Sequence, residues 1–238
     1  MDINSLFSVK DKVVVITGGG SGIGLMISTA FVKNGAKVYI TSRKAKVLET
    51  AAAELTKMGP GQCIALPCDL QNLDKTLELA QTIGRRSPTI PDKAWTKLLT
   101  LNVQRVFSGG PQADSPARII NIGSVDGLRV PALITPAYAA SKAAVHHLTR
   151  VLAANLGGKH VTANAIAPGP FQSHMMAATL KNAQDAIVSR IPMGRIGRPE
   201  DMGAMCVFLA SHGGSYINGT VIPVDGGAII ANQTYAHL

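Results

Sequence analysis

Residues 12–35 constrain the fold most. Lys12-Val-Val-Val-Ile-Thr17 is a short, continuous apolar run, as expected of a strand buried on both faces. It runs straight into Gly18-Gly-Gly-Ser21-Gly22-Ile23-Gly24 and then an amphipathic helical pattern that stops at Asn34-Gly35. Strand, glycine turn and helix in that order form a phosphate cradle. The glycines let backbone approach a diphosphate, and the helix N-terminus faces its charge. The pattern predicts a parallel α/β sheet that binds a nucleotide.

The same alternation continues. Lys37–Thr41 reads as a second strand and Gln62–Leu66 as a third, with a helix over 73–83 giving a β-α-β-α-β-α half. After the second strand the chain reads Ser42-Arg43-Lys44, without a carboxylate. A basic residue there favours a 2′-phosphate on the adenosine ribose over a free hydroxyl, and so NADP over NAD. Asp69, after the third strand, either accepts a hydrogen bond from the adenine amine or caps the helix that follows.

Next comes the least regular part. The connection Arg85–Lys93 carries two prolines and four charges, which excludes a buried central strand. Trp95–Phe107 reads as a helix that Gly109-Gly110-Pro111 ends early. A strand to Ile122 follows, then a long helix from Pro136 to about Leu156. Val161–Ala167 is a further strand closing with Pro168-Gly169-Pro170, and a loop with Phe171, Ser173 and His174 leads to a methionine-rich helix. A helix from Pro199 to Leu209 and a last strand within Thr220–Val224 complete the chain.

Between Arg118 and Lys142 lie a hydroxyl, a phenol and an ammonium: Ser124 at the end of an apolar strand, then Tyr138 and Lys142 four residues apart on one helix face. A phenol beside an ammonium in a shielded cleft can exchange a proton with a carbinol oxygen near neutral pH, while a serine hydroxyl hydrogen-bonds that same oxygen. This is the proton half of a carbonyl reduction.

At 238 residues the chain fits one domain, 1–238, with a large core, and its 46% hydrophobic content suits a globular protein. No apolar run is long enough to span a bilayer, and Met1–Lys10 lacks the apolar core of a signal peptide. Cys63, Cys68 and Cys206 have no metal-type spacing and read as reduced thiols. The net charge of +9 is scattered and lacks interleaved aromatics, which points to a solvated surface and not to nucleic acid. His146 and His147 point about 100° apart on a helix, so they read as surface or interface contacts and no metal site is expected.

These residues resemble the short-chain dehydrogenase/reductase family over nearly the whole chain. The motifs are Thr17-Gly18-Gly-Gly-Ser21-Gly22-Ile23-Gly24, the set Ser124, Tyr138 and Lys142, Asn102, Pro168-Gly169 and Val224-Asp225-Gly226-Gly227. Within the family the chain looks most like the 3-oxoacyl-carrier-protein reductases of the rhamnolipid-pathway branch. The resemblance implies a doubly wound Rossmann-like sheet and NADP(H) as cofactor. Tyr138 would be the general acid/base, Lys142 its activator and a ligand of the nicotinamide ribose, Ser124 the group that polarises the carbonyl, and Asn102 the holder of a water relay. Gly18, Ser21, Gly22, Ile23, Gly24, Ser42, Arg43, Asp69, Pro168, Gly169 and Ser173 would contact the cofactor, along with Tyr138 and Lys142. The substrate would be a small carbonyl or alcohol, among them an acyl thioester, and the assembly a homodimer or homotetramer.

One family feature is missing. Members carry a fourth strand ending in Asn-Asn-Ala-Gly, and no such motif stands between Leu70 and Trp95. In the strand order 3-2-1-4-5-6-7 that the resemblance implies, this strand is central, so its loss would leave two strands unpaired or force them together. The expectation divides accordingly into an active reductase that closes the gap, a poorly folding, nucleotide-binding or interaction protein without turnover, and the product of a shortened gene model or transcript. The ending Ala236-His237-Leu238 is similar to variants of the peroxisomal Ser-Lys-Leu address, which makes the peroxisome the expected location and the cytoplasm the alternative.

Overall fold

The computed structural model describes residues 2–86, 103–107, 115–131, 135–173 and 176–231. They build one seven-stranded sheet in the order β3-β2-β1-β4-β5-β6-β7. The strands are β1 (Val13–Thr17), β2 (Lys37–Thr41), β3 (Gln62–Ala65), β4 (Val103–Phe107), β5 (Ala117–Ile122), β6 (Val161–Pro168) and β7 (Val221–Val224). The helices are α1 (Ile3–Leu6), α2 (Gly22–Lys33), α3 (Ala45–Lys57), α4 (Leu73–Arg86), α5 (Pro136–Leu156), α6 (Ala177–Val188) and α7 (Pro199–Ala210).

Side chains alternate across the pleat, and each face finds its own cover. Val14, Ile16, Val38, Ile40, Ile120 and Ile166 pack with Ile27, Phe31 and Val32 of α2, Leu48 and Leu55 of α3, and Met202, Cys206 and Leu209 of α7. Val13, Val15, Tyr39, Ile119 and Ala163 pack on the other side with Leu79, Ala80 and Ile83 of α4 and Ala153 of α5. Two apolar layers around one sheet make the doubly wound architecture expected of the repeating strand–helix pattern.

The central place is occupied, but not as the family pattern implies. The parallel strand ending in Asn-Asn-Ala-Gly is absent, and β4 lies between β1 and β5, antiparallel to both. Val106 is registered with Val14 on one side and Arg118 on the other. The helix expected over Trp95–Phe107 is therefore corrected for residues 103–107, while 95–102 lie outside the described residues. Val103, Val106 and Phe107 fit helical spacing, yet β-branched and aromatic residues suit a strand equally well. The unpaired backbone edges of β1 and β5 decide between the two, because buried N–H and C=O groups must find partners. Neither expected outcome of the missing strand, unpaired edges or a forced closure, occurs.

Candidate active site

The glycine turn sits where β1 ends. Gly18 and Gly22 have φ of 68° and 51°, the left-handed region that glycine tolerates. A Cβ on Gly24 would lie 2.2 Å from the Gly18 carbonyl oxygen, so the first turn of α2 can approach the turn only because no side chain stands there. Ser28 holds the arrangement from below, its hydroxyl within 3.0 Å of the Gly19 carbonyl and 2.9 Å of the Gly24 carbonyl. Ser21 precedes α2 with its side chain making no capping bond, so it takes none of the N–H groups that the first turn leaves without intrahelical partners. Ile23 packs against the core and anchors the turn. This cradle fits a dinucleotide diphosphate.

Beyond the turn, β2 leads to the other half of the cleft. The Gly18 N–H donates to the Thr41 carbonyl at 2.7 Å, and the Cys68 N–H to the Ser42 carbonyl at 3.0 Å. The Ser42 hydroxyl accepts from the Lys44 N–H at 3.2 Å. A cavity of ≈540 Å³ is lined by Arg43, Leu66, Pro67, Cys68, Asp69 and Lys75 among others. Asp69 does not cap α4, since the Lys75 N–H is taken by the Asn72 side chain. Instead Asp69 accepts from the Gln71 N–H at 3.1 Å and lines the cavity with Arg43. A cation and a carboxylate in one cleft suit a ribose phosphate and an exocyclic amine.

Past the other end of the turn, the Ser173 Cβ lies 3.5 Å from where a Gly22 Cβ would stand. Its hydroxyl accepts from the Met176 N–H at 3.3 Å. Pro168 closes β6 and Gly169 follows, its N–H donating to the Val224 carbonyl at 2.9 Å. A Cβ on Gly169 would meet Asp225 at 2.8 Å. The Pro-Gly and Asp-Gly-Gly motifs are thus two sides of one contact. His174 and Asn102 lie outside the described residues.

The chemistry-bearing groups gather at the end of β5. Ser124 is buried, and its hydroxyl accepts from the Asp126 N–H at 3.2 Å. Tyr138, at the start of α5, is 37% exposed. The Lys142 Nζ lies 5.6 Å from the centroid of the Tyr138 ring and donates to the Ile122 carbonyl at 3.0 Å. Burial holds the Lys142 ammonium below its ordinary pKa. Lys142 thus stands by the Tyr138 ring, one helical turn away, and reaches the end of β5 two residues before Ser124.

Two contributors escaped sequence reasoning. His146 is not a surface residue: it is 2% exposed, and its Nε2 lies 3.4 Å from the Ser124 N–H. The four-residue step from Lys142 was the available signal. Arg129 reaches from the loop after Ser124 to the Ala228 carbonyl at 2.8 Å, tying that loop to the segment after β7. Nothing in its sequence context marked it. Among the described residues, no group of three or more His, Cys, Asp or Glu side chains is placed to hold a metal ion.

The chain is similar to known proteins over nearly its whole length. Residues 12–91 match the family described as short chain dehydrogenase, and residues 90–228 the one described as Enoyl-(Acyl carrier protein) reductase. The chain is 38% identical to the rhamnolipids biosynthesis 3-oxoacyl-[acyl-carrier-protein] reductase of Pseudomonas aeruginosa, over 93% of this chain and 97% of that one. It is 32% identical to a galactitol 2-dehydrogenase (L-tagatose-forming) of Cereibacter sphaeroides, over 95% and 98%. Among solved structures, the Pseudomonas aeruginosa RhlG/NADP active-site complex superposes with a TM-score of 0.83 at 34% identity, covering 94% of this chain and 99% of that one. A putative NAD(P)-dependent gluconate 5-dehydrogenase from Beutenbergia cavernae with bound NADP gives 0.77 at 30%, over 94% and 99%.

Proposed function

Because the chain belongs to the short-chain dehydrogenase/reductase family, we propose that it is an NADPH-dependent oxidoreductase that reduces a ketone to an alcohol. The ketone would be a 3-oxoacyl thioester or a related secondary-metabolite intermediate. One observation carries this reading: the Lys142 ammonium stands by the Tyr138 ring on α5 and holds the last carbonyl of β5, two residues before the buried Ser124. NADP-bound relatives and a carrier-protein reductase among them support it.

The glycine turn and the start of α2 would hold the cofactor's diphosphate, Arg43 its 2′-phosphate and Lys142 its nicotinamide ribose. The bound nicotinamide supplies a hydride. Ser124, its oxygen already accepting from Asp126, keeps its hydroxyl hydrogen to donate to the substrate carbonyl. Tyr138 delivers its phenolic proton to the oxygen as the carbonyl carbon is reduced, and the Lys142 ammonium stabilises the phenolate left behind.

The test is purified protein with NADPH and a panel of 3-oxoacyl thioesters and cyclic ketones, followed by loss of the reduced-nicotinamide absorbance. Turnover that Tyr138→Phe abolishes is the expected result. Turnover that survives that substitution sinks the mechanism.

A second reading is nucleotide binding without turnover, favoured by the antiparallel direction of β4 where the family has a parallel strand. Tight NADPH binding and cooperative unfolding with no turnover on any substrate would select it. Sequencing the transcript across Arg85–Trp95 and Phe107–Arg118 separates both readings from a shortened gene model, which extra coding sequence at both places would reveal.

Two further expectations belong to the same proposal. A second copy would pack on the exposed face of α5, which includes Ala140, Ala144 and Val151, and sedimentation would read the resulting dimer or tetramer. Ala236-His237-Leu238, outside the described residues, would direct the protein to peroxisomes. A fluorescent fusion that stays cytoplasmic would refute that address.

A further inference from the structure

The ladder between β5 and β6 ends at Gly123, whose N–H donates to the Ile166 carbonyl at 2.7 Å. One residue on, the Ser124 N–H is buried, and a buried N–H without an acceptor is costly. The acceptor is Nε2 of His146, at 3.4 Å. Space for the ring is built into the backbone around it. A Cβ on Gly123 would stand 2.0 Å from Nε2, and one on Gly127 2.9 Å from Cε1.

His146 follows Lys142 by one helical turn, and Lys142 follows Tyr138 by another, so phenol, ammonium and imidazole share one face of α5. Lys142 holds the Ile122 carbonyl and His146 the Ser124 N–H, so the helix grips the chain on both sides of Gly123. The Ser124 carbonyl accepts from the Gly127 N–H at 3.0 Å and its hydroxyl oxygen from Asp126. Every polar group of Ser124 except the hydroxyl hydrogen is then committed.

We propose that His146 is a positioning residue for Ser124: as a neutral imidazole protonated on Nδ1, it fixes the serine backbone so that the hydroxyl is aimed at the substrate oxygen. This rests on the reductase reading above for its consequence, though not for its geometry. Only an unprotonated Nε2 can accept an N–H, so the tautomer is part of the claim, and it commits the buried Nδ1–H, which has no protein partner among the described residues, in exchange for satisfying the serine N–H. Burial, which disfavours the charged ring, is consistent with it.

Two measurements test it. Long-range proton–nitrogen correlation on protein carrying nitrogen-15 histidine should find His146 as the Nδ1–H tautomer at neutral pH. An Nε2–H tautomer or an imidazolium overturns the proposal whether or not the protein is an active reductase. In steady-state reduction of the best ketone, His146→Leu should lower kcat by about tenfold, the worth of one lost hydrogen bond, with NADPH affinity and ketone KM little changed. His146→Gln, whose side-chain oxygen can accept the same N–H, should restore most of kcat. In a Ser124→Ala background, His146→Leu should have almost no further effect. An equal loss in both backgrounds, or no recovery with glutamine, overturns the positioning role. If Leu and Gln lower thermal stability equally, yet only Leu lowers kcat, the effect is on the serine and not on the fold.

Discussion

Lys142 donates from Nζ to the main-chain carbonyl of Ile122, the last residue of β5, at 3.0 Å. The helix that carries the phenol is thereby fastened to the strand that leads to Ser124, through the ammonium that stabilises the phenolate in the proposed reaction. Lys142→Met should remove the fastening and the charge together, and kcat/KM for ketone reduction should fall by about 10²-fold or more. Stability should respond in the opposite sense. Burial depresses the Lys142 pKa from 10.5, so as pH rises the native chain releases this proton before the unfolded chain does. In the window between the depressed value and 10.5 the unfolded state binds more protons, and stability rises with pH. The Lys12 pKa is depressed by burial in the same way, so urea titrations across that window should show a steeper rise in the wild type than in Lys142→Met, the difference reporting Lys142.

Gly24 faces the Gly18 carbonyl too closely for any side chain. Gly24→Ala puts a methyl against backbone that cannot turn aside, so α2 must shift away from the turn and the diphosphate loses its N–H donors. NADPH affinity should drop by about tenfold or more by fluorescence titration, with a lower unfolding midpoint. An unchanged affinity would mean that the turn is not the cradle.

Arg43 shares the ≈540 Å³ cavity with Asp69. Its guanidinium matches a 2′-phosphate, and a carboxylate in its place would repel that phosphate and accept from a free 2′-hydroxyl. Arg43→Glu should therefore weaken NADPH and strengthen NADH, moving the ratio of their dissociation constants by about 10²-fold. A ratio that stays put would assign the phosphate to another cation.

The glycine turn and the phenol–ammonium pair were legible in the sequence because each rests on local spacing. A strand-to-helix turn needs glycine at fixed positions, and one helical turn sets Tyr138 beside Lys142. His146 was not legible, although the same spacing places it, because burial of the adjacent pair His146-His147 is decided by what lies opposite. Gly123 and Gly127, on either side of Ser124 and far upstream in the chain, supply the space. The direction of β4 was hidden for a related reason. Five residues with valine and phenylalanine at mixed spacing suit a helix or a strand, and only the two open edges beside them select one.

The place of β4 can be tested through the backbone alone. Val106 is registered with Val14 of β1 and Arg118 of β5, so it belongs to a strand with a partner on each side. Proline there removes an N–H and fixes φ near −65°, outside the usual strand value, and the buried partner left unsatisfied alone costs about 1–3 kcal/mol. Such a loss is a large fraction of the stability of an ordinary domain. Val106→Pro should lower the denaturation midpoint steeply and weaken NADPH binding with it, because β1, which β4 flanks, carries the glycine turn. A helix or loop over the same residues would leave β1 unaffected and confine the damage to its own segment. A midpoint and an NADPH affinity both equal to those of the wild type would therefore remove β4 from the centre of the sheet, and with it the account of how the gap between β1 and β5 is filled.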